Sequence, residues 1–152
     1  MRKLVLLAAA ISMACGAVAV ATAAVKPSTA IHYRQSVYHV ILWNFAPLAD
    51  MFKGKVPFDA AAFEKHADRI ALMAPQLLEG FPPGSDQGAK TEAKPDIWKN
   101  FPDFRDKMGN LVTQSRKLAE VAKTGDEAKM KAQFKGTAGA CKSCHDKYRE
   151  ED

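Results

Sequence analysis

Near its C-terminus the chain reads Cys141-Lys142-Ser143-Cys144-His145, followed by Asp146-Lys147-Tyr148-Arg149. C-x-x-C-H is the attachment signature of a c-type haem, in which two thiols add across two vinyl groups and the imidazole that follows binds the iron. No other feature limits the fold as much, because the rest of the chain must enclose a rigid, flat, largely apolar macrocycle. At 3.6 residues per turn, Cys141, Cys144 and His145 fall at about 0°, 300° and 40° around a helix, so a single stripe presents all three groups. Tyr148 is four residues beyond Cys144 and Arg149 four beyond His145, which extends that stripe.

Other uses of the motif find less support. A redox dithiol of the thioredoxin type needs C-x-x-C at a strand-to-helix turn, and no strand pattern occurs. Zinc needs further ligands at ligand spacing, whereas His32, His39 and His66 are scattered. A disulfide between Cys141 and Cys144 closes too small a loop to stabilise much.

The other end of the chain fixes the compartment. Met1-Arg2-Lys3 precedes an apolar run from Leu4 to Val20 and then Ala21-Thr22-Ala23, an A-x-A site. Residues 1–23 read as a secretory signal, too short and too rich in alanine for a membrane span. Cys15 lies in the run, but a lipoprotein site wants a large aliphatic residue three positions earlier, where Ser12 stands, so Cys15 leaves with the signal. The mature chain, 24–152, is long enough for one domain. Only Cys141 and Cys144 remain in it, which fits a periplasmic protein whose haem is attached after export. Net charge falls from +5 to +3 once Arg2 and Lys3 are gone, and the remaining Lys and Arg are dispersed. That is no nucleic-acid footprint.

Apolar periodicity and turn signals then predict an all-α fold of four helices. The first starts near the N-cap candidate Ser28 and stops at Lys53-Gly54, with Ile31, Arg34, Tyr38, Ile41, Leu42, Phe45, Leu48 and Phe52 on one stripe and Pro47 as a bend. Arg34 and Gln35 need polar partners if they face inward; haem propionates would serve, and an exposed helix end is the alternative. Asp59 caps a second helix carrying Phe63, Ile70, Met73 and Leu77, whose final turn Pro75 weakens; His66 sits beside that face as a satisfied or solvent-facing residue. Residues 80–99 form a long irregular stretch that packs over something, the haem edge being the natural choice. A third helix begins around Pro102-Asp103 and ends at Thr124-Gly125. Asp126 caps the fourth, where Gly136, Ala138, Gly139 and Ala140 leave room for a bulky group against the backbone.

These residues match a known pattern. Tyr33-Arg34-Gln35-Ser36, Lys53-Gly54 with Pro57-Phe58-Asp59, Lys94-Pro95-Asp96-Ile97-Trp98 and Cys141 through Arg149 together resemble the class II cytochromes c, above all the cytochrome c′ family. The resemblance implies an antiparallel left-handed four-helix bundle, often a homodimer, with one covalent haem c between the helices. It implies thioethers at Cys141 and Cys144, His145 as the proximal iron ligand and Arg149 as the basic residue beside it. It also places Arg34 and Gln35 at the propionates, and Thr91 and Glu92 in the loop that approaches the haem edge.

By the same resemblance, the position four residues after Arg34 faces the iron from the distal side, and it holds Tyr38. A methionine hereabouts gives a six-coordinate electron carrier, as in a cytochrome c-556. A neutral phenol with pKa about 10 is a weak iron ligand, so Tyr38 should block the pocket without binding, leaving five-coordinate, high-spin iron. His39 is about 100° further round the helix and Met51 more than three turns along, so both are poorer candidates. The expected function is therefore binding of NO or CO, with periplasmic electron transfer to redox partner proteins as the alternative. No distal acid/base pair is visible for a peroxidase, so no enzyme is expected. Movement of the first helix on gas binding would couple ligand entry to dimerisation.

Overall fold

The computed structural model describes residues 25–150, and the predicted signal at 1–23, with Cys15, lies outside them. The described chain contains α1 (Pro27–Phe52), α2 (Ala60–Met73), a 3-10 segment (Ala74–Gly80), α3 (Asp96–Lys99), α4 (Phe101–Ala122) and α5 (Glu127–Tyr148). The four long helices form an all-α bundle, as the sequence predicts. Short links join α1 to α2 and α4 to α5, which makes each pair antiparallel.

Most helix ends follow from local chemistry. Asp59 and Asp126 accept hydrogen bonds from the backbone N–H of Ala62 and Lys129, both at 3.0 Å, satisfying donors that a helix start leaves orphaned. Gly54 at φ 70° and Gly125 at φ 67° supply the left-handed turns after α1 and α4. At the start of α1 the expected cap is not used: Pro27 takes the first helical position behind Lys26, and Ser28 lies inside the helix. Pro47 is absorbed without breaking α1. After Met73, just before Pro75, the chain tightens into the 3-10 segment. The stretch predicted as irregular to Lys99 instead ends in the short helix α3.

The core face of α1 keeps most of the predicted stripe but not Leu42. Ile31, Arg34, Val37, Ile41, Asn44 and Leu48 are buried, while Leu42, predicted to face inward, is 60% exposed. The buried amide Asn44 is satisfied by donating to Val40 O at 2.8 Å and by pairing with His66 Nδ1 at 3.0 Å.

Helix α4 packs closely on α5, and α2 on both α1 and α4. The backbones of α1 and α5 approach one another far less, and their seam is bridged by side chains. Toward one end of the seam Phe134 stacks on Phe45 with ring centroids 4.6 Å apart. Toward the other, Tyr38 meets His145 edge-on at 6.3 Å.

Candidate haem site

The wide end of the α1–α5 seam holds the predicted motif. Cys141 is half-buried, Cys144 is buried, and the two thiols are not bridged. Burial pushes both thiols up, Cys144 to about 11, so they stay protonated at neutral pH. A redox dithiol needs the opposite shift, because the thiolate is its nucleophile. His145 is lowered, first by desolvation and then by the Arg149 guanidinium. Its imidazole is therefore neutral, the form that coordinates a metal. Among the described residues no three His, Cys, Asp or Glu side chains gather to hold a bare metal ion.

Opposite His145, on α1, stands the half-buried Tyr38, whose phenol pKa is raised well above its ordinary value, chiefly by desolvation. It carries no charge and is a weaker metal ligand than a free phenol. His39 faces solvent, where it lines a surface groove with Leu42 and Trp43. Met51 packs against the core near the far end of α1.

Four residues before Tyr38 lies Arg34, only 2% exposed. Its Nη1 donates to Gly80 O at 3.0 Å, Ser85 O at 2.9 Å and Ser85 Oγ at 3.1 Å, and its Nη2 to Thr91 Oγ1 at 2.9 Å. The guanidinium lies 4.7 Å from the Phe81 ring centroid and 5.5 Å from that of Trp98, positions of cation–π attraction. Gly80 is required here, because a Cβ would come within 2.5 Å of Arg34 Cβ. Every one of these acceptors is neutral. Burial lowers the guanidinium pKa even though the Asp86 carboxylate, beyond the hydrogen-bond shell, attracts the cation, so the arrangement suits a further anion arriving beside it.

Gln35 donates to Lys90 O at 3.0 Å, and with His32, Lys90, Thr91 and Glu92 it lines a recess of about 340 Å³. Arg34, Gln35, Thr91 and Glu92, 55 or so residues apart in sequence, thus meet at one edge of the site. The Glu92 carboxylate accepts from Arg149 Nε at 2.7 Å. Arg149 does not extend the helical stripe of the motif: it is the C-cap, in extended conformation. Tyr148, still helical and buried like Cys144, stays on the stripe, its ring edge-on to Phe104 at 5.4 Å and its hydroxyl donating to Asp103 Oδ2 at 2.5 Å. Gly136, expected to make room for the macrocycle, sits against Gln114 of α4 instead.

Taken together, the donor set fits haem c. Two neutral thiols and a neutral imidazole share one helix, a neutral blocking ring faces them across two widely spaced helices, and a buried cation waits at the edge.

Sequence reasoning missed two features. Ser85, fully buried, supplies two of the acceptors for Arg34, and nothing local distinguishes it from other loop serines. Leu42 and Trp43, 60% and 77% exposed, give α1 an apolar outer face. A helix apolar on both sides was the available signal for that face.

Comparison with known proteins places the chain in a family. A family model described as Cytochrome C′ matches residues 29–149. A cytochrome c′ of Rubrivivax gelatinosus is 40% identical over 125 residues, covering 82% of this chain and 97% of the relative. Among solved structures, the cytochrome c prime from Shewanella frigidimarina superposes with a TM-score of 0.80 at 41% identity, covering 83% of this chain and 98% of that one. A nitric oxide complex of a cytochrome c prime variant from Alcaligenes xylosoxidans superposes at 0.77 and 31% identity, covering 84% and 98%.

Proposed function

This chain belongs to the cytochrome c′ family, and we propose that it is a periplasmic c-type haem protein, exported by residues 1–23, that binds small neutral gases such as NO or CO. One haem c, when attached through Cys141 and Cys144, supplies the iron at which such a gas binds. The observation that carries the reading is the pairing of Tyr38 with His145 across the seam, a neutral imidazole on one side and a weakly ligating ring on the other.

Each residue has a task in this reading. His145 holds the iron from the α5 side. Tyr38 excludes water and bulky or charged ligands from the other side, and its uncharged ring yields to a small neutral molecule. Arg34 gives a propionate its counter-charge, and Gln35, Thr91 and Glu92 border the same edge. The protein acts by binding rather than by catalysis. No helix among the described residues is long and apolar enough to cross a membrane.

A second copy of the chain is the proposed partner of the outer face of α1. Leu42 and Trp43 lie within five residues of Tyr38 on one helix, so a shift that clears the distal side moves the apolar face too. Dimer affinity, measured by sedimentation with and without CO, should differ; equal affinities would sink the coupling.

The decisive measurement is an optical spectrum of the ferrous haem-loaded protein before and after NO or CO. A broad, unsplit visible band that changes with gas supports the reading. Sharp, split bands indifferent to gas would mean that a strong side-chain ligand holds the sixth position, and would assign the protein to electron transfer with redox partners.

A further inference from the structure

The chain beyond His145 is held from two sides. Just past the end of α5, residues 148–150 pair with residues 92–94 in a single antiparallel bridge, Ala93 opposite Arg149. Lys94 N donates to Tyr148 O at 2.9 Å and Glu150 N to Glu92 O at 2.7 Å, and the Glu92–Arg149 ion pair closes the same clip. Arg149 N in turn donates to His145 O at 3.0 Å, so the clipped residue caps the turn that bears the histidine. On the opposite flank, Asp103 of α4 receives the Tyr148 hydroxyl and Lys147 Nζ.

The other end of the clip is tied to α1. Thr91 Oγ1 accepts from Arg34 Nη2 and also from Ala93 N at 3.2 Å. Residues 91–94 therefore form a strap running from the helix that carries Tyr38 to the turn that carries His145. None of these contacts belongs to the sequence motif, and a helix end normally frays within its last turn.

We propose that Glu92 is a positioning residue for His145: by clipping Arg149 and the tail to the strap anchored at Arg34, it sets the tilt of the imidazole toward the iron. The inference rests on His145 being the iron ligand, and it is independent of which gas binds.

The test uses the haem-loaded ferrous protein and three forms: wild type, Glu92→Gln, and the charge-swapped pair Glu92→Arg with Arg149→Glu. Resonance Raman reads the iron–histidine stretching frequency, and amide hydrogen exchange reads residues 147–150. Because the ion pair is partly solvent-exposed, Glu92→Gln should speed exchange of those amides by roughly two- to fivefold. It should also shift or broaden the iron–histidine band, and the charge-swapped pair should restore both. An unchanged band in Glu92→Gln overturns the proposal even if exchange accelerates, since the clip would then hold only the tail. A change that the swapped pair fails to restore overturns it too. If instead the wild-type spectrum ignores NO and CO, the gas-binding reading fails, and the tilt is then read from the His145 ring-proton shifts in the NMR spectrum of the six-coordinate ferrous form in place of the iron–histidine band.

Discussion

The α1–α5 seam closes in two different ways along its length. Toward one end, Phe134 stacks on Phe45 and meets Phe52 at a tilt, and Phe52 continues the contact to Phe58 and the fully buried Phe63. Eleven residues away along α5, about 16 Å at 1.5 Å per residue, the same two helices meet through Tyr38, whose ring lies edge-on to His145. Around that contact lie protonated thiols, a buried cation and hydrogen bonds to loops. One end is filled by the chain's own apolar rings. The other is lined with groups that suit a macrocycle, and its integrity depends on polar contacts that bind loops to helices.

Substitutions that exchange the roles of the two ends should break the comparison most clearly. Phe63→Ala removes a ring that three elements enclose, and should lower unfolding free energy in a urea titration of the haem-loaded protein by about 3–5 kcal/mol. It should leave the gas-bound spectrum unchanged. A loss below about 1 kcal/mol would mean that the aromatic end is not where the bundle's apolar stability resides.

Arg34→Met comes next, because it trades a charged hub for a side chain of similar length. The carbonyls of Gly80 and Ser85 lose their donor, and about 2–4 kcal/mol of stability should go with it. Arg34→Lys should recover only part, since a single ammonium cannot span Ser85 and Thr91 as the guanidinium fork does. Full recovery by lysine would show that charge alone, without the fork, holds the loop.

Tyr38→Ala tests the functional end directly. It should raise affinity for CO in an equilibrium titration at least tenfold, on the order of 1.4 kcal/mol, since no ring need then move aside. Its stability loss should stay well below that of Phe63→Ala. Unaltered affinity would mean that Tyr38 does not guard the site.

The two ends also differed in how far the sequence reveals them. The motif Cys141-x-x-Cys144-His145, the caps Asp59 and Asp126 and the turn glycines Gly54 and Gly125 are local signals. Each sits where a few neighbouring residues predict it. The partners of Arg34 are 46 to 57 residues distant, and no spacing rule joins a helical arginine to a loop serine. Leu42 was assigned inward because α1 is apolar around much of its circumference, which leaves the phase of its core face undetermined. Asn44 fixes that phase through His66 on α2, another long-range pair. Arg149 fits the helical period of the motif, yet the clip to residues 92–94 ends the helix at Tyr148 and takes Arg149 off the stripe. Tertiary contacts therefore decide the edge of the site, while its centre is written locally.

The smallest expected effect separates the ends by acidity. The Asp103 carboxyl is lowered from its ordinary value, first because it accepts the Tyr148 hydroxyl, then because of Lys147, with Lys107 adding a weaker attraction. A carboxyl whose pKa is lower folded than unfolded stabilises the fold above its unfolded pKa of about 3.9. That contribution is lost as pH falls from there through the lowered folded value. At the aromatic end the rings of Phe45, Phe52, Phe63 and Phe134 do not titrate, and the lowered carboxyl on that side, Asp126, caps the start of α5 about two turns before Phe134. Hydrogen exchange followed from pH 5 down to pH 3, each rate corrected for the intrinsic effect of pH, should therefore show amides around Tyr148 losing protection before those around Phe134. In Asp103→Asn the Tyr148 amides should be less protected at pH 5 and should lose little more on acidification. Simultaneous loss at both ends in the wild type would mean that the tail of α5 is coupled to the core tightly enough to make its polar clasp redundant.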